Sequence, residues 1–129
     1  SACFVLENIS TKQTPFRPQL NAALWVREKS VNKIDLIKTD EVRVSRICLK
    51  AAEISPAHYH SNVIESIVCL SGEIEVVLDS SSDPNILKPG NFIDIQPLDG
   101  HHLINRLNSA SEYLLVQKGS YDFVPIKSY

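Results

Sequence analysis

The chain lacks any apolar run approaching the roughly 20 residues that a helical membrane span requires, so no such span is expected. It has no basic block either: Lys and Arg number 13 against 15 Asp and Glu, both signs are dispersed, and the net charge is −2. A surface that follows nucleic-acid phosphates is therefore not expected. Cysteine is sparse. Cys3, Cys48 and Cys69 are odd in number and far apart, which suits neither a disulfide framework nor a Cys-x-x-Cys metal knuckle. Buried or free thiols in a reducing compartment are the simple reading, and they point to the cytoplasm. Ser1 to Glu7 lack a positive start followed by a long apolar core, so no secretory leader is expected. No long amphipathic helix, repeat of solenoid period or inter-domain linker is visible.

What remains fits one domain. A chain of 129 residues can bury roughly two-thirds of the surface it exposes when unfolded, without disulfide staples. Residues 1–21, with Pro15 and Pro18, read as an irregular N-terminal arm, and residues 22–129 as a β-domain. Leu24-Trp25-Val26 is a short apolar run, and Val31 to Ile37 alternates. Val42 to Leu49 alternates more clearly, with Val42, Val44, Arg46 and Cys48 on one face and Arg43, Ser45, Ile47 and Leu49 on the other. Strands are expected at Ala57–Ser61, Glu65–Leu70, Glu73–Leu78, Ile86-Leu87, Asn91–Gln96, from His101, and at Glu112–Lys118. The tail after Gly119 is a candidate edge strand. Many short strands between Gly, Pro, Asn and Asp turns indicate an all-β sandwich or barrel. Ile67, Val68, Leu70, Ile74, Val76, Ile93, Ile95, Leu103, Leu114 and Val116 are expected in the core or between paired sheets.

Three of the four histidines and one glutamate stand where turns bring strands together. On a strand, His58 and His60 point their imidazoles to one face, about 7 Å apart at the backbone. Glu65 opens the next strand, and antiparallel pairing of the two strands would fold it back beside His60. A third imidazole must come from His101 or His102. Neutral imidazole is the commonest metal ligand, and a carboxylate adds balancing charge.

These residues carry a family resemblance. His58-x-His60-x4-Glu65-x6-Gly72 resembles the first cupin motif, and Gly90-x10-His101-x3-Asn105 has the spacing of the second. The resemblance spans roughly Val42 to Val116 and selects His101 over His102. Two departures concern turns: Ala52 stands where the pattern has Gly, and Gln96-Pro97-Leu98 replaces Pro-x-Gly. The second departure leaves the loop before His101 the weakest point of the match.

The resemblance implies a single-domain cupin β-barrel, a double-stranded β-helix or jelly roll. It implies one divalent ion (Fe, Mn, Ni, Zn, Co or Cu) held by His58, His60, Glu65 and His101, with one or two positions open. Three neutral imidazoles and one carboxylate leave residual positive charge, which favours an anionic, oxygen-donating small molecule. Dioxygenase and isomerase or lyase chemistry follow by resemblance, with a non-catalytic metal-containing binding or sensing module as the alternative. Glu65 is the sole acid–base candidate. Arg46 or Arg43 is a candidate for a substrate carboxylate, and Cys69 shares the face of Glu65. Small cupins often pair through N-terminal strands, so a homodimer is expected.

Overall fold

The alternation from Val42 to Leu49 becomes a strand because only extended backbone turns such a pattern into two faces. The computed structural model describes residues 32–127, and every regular element among them is a strand. The expected arm, the Leu24-Trp25-Val26 run, Val31 and Cys3 lie outside the described residues. The strands are β1 (Lys33–Lys38), β2 (Val42–Leu49), β3 (His58–Tyr59), β4 (Asn62–Ser71), β5 (Ile74–Leu78), β6 (Asn85–Leu87), β7 (Phe92–Ile95), β8 (His101–Ile104), β9 (Ser111–Ser120) and β10 (Val124–Pro125). They form two five-stranded sheets, ordered β1-β2-β9-β4-β7 and β10-β3-β8-β5-β6. Every pairing is antiparallel. From β2 onward most connections cross between the sheets, as in a jelly roll. No described helix is long and apolar enough to cross a membrane.

The core lies between the sheets. Ile67 and Cys69 of β4, Tyr113 and Leu115 of β9 and Ile95 of β7 meet Ile74, Val76 and Leu103 of the other sheet. Each fully buried aliphatic side chain contributes about 1.5–3 kcal/mol. Parity corrects part of the expected core. Val68, Leu114 and Val116 fall on the outer face and are half-buried, and Leu70 is 43% exposed where the β4–β9 register shifts between Cys69 and Ser71. Cys69 is a buried free thiol. Cys48 is also buried but is disulfide-bonded, which corrects the reading of the cysteines as unpaired and removes much of its argument for a reducing compartment.

Both departures from glycine in the motifs leave a mark on the backbone. Ala52 has φ 61° and Leu98 has φ 70°, the left-handed region that glycine enters without steric cost. Leu98 is 68% exposed, so little burial compensates it. Ala52→Gly and Leu98→Gly are each expected to stabilise the barrel by about 0.5–1 kcal/mol. Higher urea midpoints at unchanged slope would bear this out, and lower midpoints would contradict it.

Candidate metal centre

β3 is only two residues long, but its pairing with both β8 and β10 fixes the histidine strand in the second sheet. Opposite His58 in the register stands His101, the first residue of β8. Glu65 belongs to β4, in the other sheet, where it pairs with Gln117 and Ile95. The expected β3–β4 pairing therefore does not occur, and Glu65 reaches the histidines across the interior. Contributions from both sheets make the cluster a product of barrel closure.

One ligand-capable atom from each of His58, His60, Glu65 and His101 lies within 4.8 Å of the others, and this group could hold a metal ion. His60, Glu65 and His101 are buried, whereas His58 is half-buried. The question of which neighbour faces inward is answered by exposure: His101 is 1% exposed, and His102 turns to the other side of β8, opposite Val77. The loop before His101 is pinned by Leu98 N–H donating to His60 O at 2.8 Å.

Each imidazole is oriented by its Nδ1. His58 donates to Pro56 O at 2.8 Å, His101 to Asp99 O at 2.9 Å, and His60 to Asp122 O. A carbonyl oxygen only accepts, so each Nδ1 carries the hydrogen, and in the neutral rings Nε2 is left as a bare lone pair. His60 Nε2 stands 3.1 Å from Glu65 Oε1, and His101 Nε2 stands 2.9 Å from Glu65 Oε2. Close as they are, neither Nε2 has a hydrogen-bond partner. Lone pairs facing carboxylate oxygens repel unless a cation or proton lies among them. Ligand atoms of a common ion with bonds of about 2.1 Å stand roughly 3–4 Å apart; the His60 and His101 contacts to Glu65 have that scale, and the donor chemistry of the whole group suits a metal.

A proton on the rings can take the cation's place. Burial disfavours the charged Glu65, but the His101 and His60 rings and the Gln117 amide outweigh it and hold the carboxyl well below its usual range. Burial also opposes charge on His60, but Glu65 and the Asp122 carbonyl more than compensate, so its pKa is raised. His58 is lowered, chiefly by burial.

Several functional neighbours escaped the sequence reading. Gln117 Nε2 donates to Glu65 Oε1 at 2.9 Å, and its own Oε1 is buried without a partner. Tyr113 is buried in the wall with its phenol pushed well above the usual range, mainly by burial. Their parity with Leu115 on β9 was the available signal. The cluster opens into a cavity of about 270 Å³, walled by Ile47, Ile67, Leu103 and Leu115, with Lys33 and Tyr121 among its other lining residues. Arg43 lies on the inner-face parity of β2 and packs over the Tyr121 ring at 4.0 Å, but it does not line this cavity. Arg46 is on the opposite face, 4.0 Å from Glu112. Cys69 is inward but sealed in the core, with Sγ toward Ser71 O and Gly72 O. Asp94 bonds Ser66 on the outer face of β4, so the inward residues of β7 are Ile93 and Ile95. Asn105 is buried and supports the barrel: its amide donates to Leu49 O, Lys50 O and Ser109 O.

A family model described as cupin domain matches residues 45–117, more than half of the chain. No curated protein matches it. Among solved structures, an uncharacterized conserved protein with a double-stranded β-helix domain from Klebsiella pneumoniae superposes with a TM-score of 0.66 at 18% identity, covering 75% of this chain and 86% of that one. KdgF from Halomonas sp. gives 0.62 at 16% identity, covering 70% and 79%. A sugar phosphate isomerase of the cupin superfamily from Silicibacter pomeroyi gives 0.59 at 22% identity, covering 67% and 57%. At these identities the likeness shows the fold.

Proposed function

The chain belongs to the cupin family, and from that premise we propose that it is a metal-dependent enzyme acting on a small anionic or sugar-like metabolite through His58, His60, Glu65 and His101. The observation that carries this reading is the common orientation of the rings: three Nδ1–H groups are spent on main-chain carbonyls, which frees the Nε2 atoms, those of His60 and His101 facing the Glu65 carboxylate and His58 standing in the same group. A bound divalent ion supplies Lewis acidity there and leaves residual positive charge for an anionic oxygen ligand. The chain's own residues do the rest. Gln117 holds Glu65 in place, the apolar wall excludes water from the substrate body, and Lys33 offers a cation to its outer end. Arg43 is a second candidate for that end if Tyr121 moves. Dioxygenase and isomerase or lyase chemistry are the reaction types to test. A homodimer belongs to the same reading, since Leu36 and Ile37 on β1, the last strand of its sheet among the described residues, are each 53% exposed.

A second reading, a non-catalytic binding module, is favoured by one observation. Among the described residues that line the cavity outside the ligand group, no side chain is poised as a base, and Tyr113 holds its proton more tightly than a free phenol. The two readings separate in one series: metal analysis of the purified protein, then turnover of 2-hydroxy acids, 2-oxo acids and sugar phosphates, with dioxygen uptake monitored. Stoichiometric metal with turnover is the expected result. Metal with binding but no turnover favours the module, and failure to bind any divalent ion contradicts both.

A further inference from the structure

Two of the three ring anchors are local. His58 and His101 each use the carbonyl two residues earlier, inside the turn that delivers them. His60 uses Asp122 O, 62 residues later in the chain. The segment that supplies this carbonyl lies across β3. Val124 and Pro125 pair with Tyr59 and His58, and Ile126 N–H donates to Ala57 O at 2.9 Å. Ser61 N–H donates to Asp122 Oδ1 at 2.7 Å and clasps the segment just beyond His60. Phe123 stacks on the His58 ring at 4.3 Å and 21°, and Tyr121 lies against His60 at 5.5 Å. Both aromatic side chains line the cavity while remaining 45% and 39% exposed.

We infer that Tyr121–Phe123 forms a working part of the metal centre, with Asp122 as a positioning residue for His60, so that seating this strap and loading the metal favour each other. The inference rests on the metal reading above. The physical reason is that His60 has no anchor of its own. Without Asp122 O, the ring loses the bond that sets its tautomer and its rotation, and the lone pair no longer points at Glu65. Conversely, an ion that fixes His60 and His58 fixes the two surfaces on which the strap rests. By linkage, the factor by which a seated strap tightens metal binding equals the factor by which metal favours seating. The strap is held by a two-residue strand and half-exposed rings, far fewer contacts than the core strands make, so it can leave without unfolding the barrel.

The test uses the full chain with Co2+ as probe. Asp122→Ala/Phe123→Ala removes the Ser61 clasp and the ring stacked on His58. It is expected to bind Co2+ at least tenfold more weakly than the unaltered chain and to change the visible absorption of the bound ion. Phe92→Ala, an equal truncation at an exposed site of β7, should stay within twofold. In the unaltered chain, Co2+ should slow amide exchange of Asp122, Phe123, Val124 and Ile126 by a factor similar to the affinity loss. Affinity and spectrum unchanged in the double variant, or exchange of those amides indifferent to Co2+, would overturn the strap while leaving the metal centre standing. No Co2+ binding by the unaltered chain overturns both.

Discussion

His58→Ala should abolish stoichiometric metal uptake while leaving a folded barrel. The ring is half-buried on a two-residue strand and takes no part in the core formed by Ile67, Ile74 and Val76. Its removal costs the bond to Pro56 O and the stack on Phe123, a loss of about 1–2 kcal/mol that the barrel should survive. The effect on metal is larger. Losing a residue that merely supports a ligand lowers affinity about 10–100-fold, so losing a ligand should exceed this, on the order of a thousandfold. His102→Ala should leave uptake unchanged, because that side chain faces away from the cluster. Metal content by elemental analysis, with far-ultraviolet circular dichroism as the check on folding, measures both variants. Retained stoichiometric metal in His58→Ala, or equal loss in His102→Ala, would contradict the ligand assignment.

The sequence announced the cluster of His58, His60, Glu65 and His101 better than the route by which its members meet. Strand parity put His58 and His60 on one face, and motif spacing chose His101, whose side is fixed by Leu98 N–H on His60 O. Parity also separated the inner face of β2, with Ile47 and Leu49, from the outer face carrying Arg46. The pairing partner of β3 was not legible, because a two-residue strand carries almost no pattern. The short Ser61-Asn62 turn suggested a hairpin, whereas the chain crosses there to the opposite sheet. Gln117 was hidden for a different reason: a polar residue at an inward position of an apolar strand announces a site only when its cross-strand neighbour is known to be Glu65. Asp122 left no signal at all, since it acts through a main-chain carbonyl that every residue possesses. Ala52 and Leu98 are the converse case. They were visible as missing glycines, and the backbone kept the glycine conformation around the substitutes.

Lowering the pH from about 7.5 to 5.5 should strip the metal more steeply than one proton can account for. Metal and proton compete for the same Nε2 lone pairs, since the Nδ1 positions are already occupied by hydrogens given to carbonyls. Glu65 is held far below its usual range and stays ionised across this interval, so the competing protons enter at the imidazoles. His60, with its raised pKa, takes its proton before His58, whose pKa is lowered. Two protons gained per ion lost correspond to about a hundredfold in affinity per pH unit below the histidine range. The metal-free barrel should respond with the opposite sign. The elevated pKa of His60 contributes stability that is complete below the ordinary histidine value and disappears as pH rises through the higher folded value. The lowered pKa of His58 acts with the opposite sign, but its effect is complete above the ordinary histidine value. Above that value, thermal midpoints measured with and without Co2+ should therefore diverge as the solution becomes more alkaline, the loaded protein gaining while the empty one loses. Midpoints that move in parallel, or Co2+ affinity that falls by only tenfold per unit, would mean that the three rings do not share one ion.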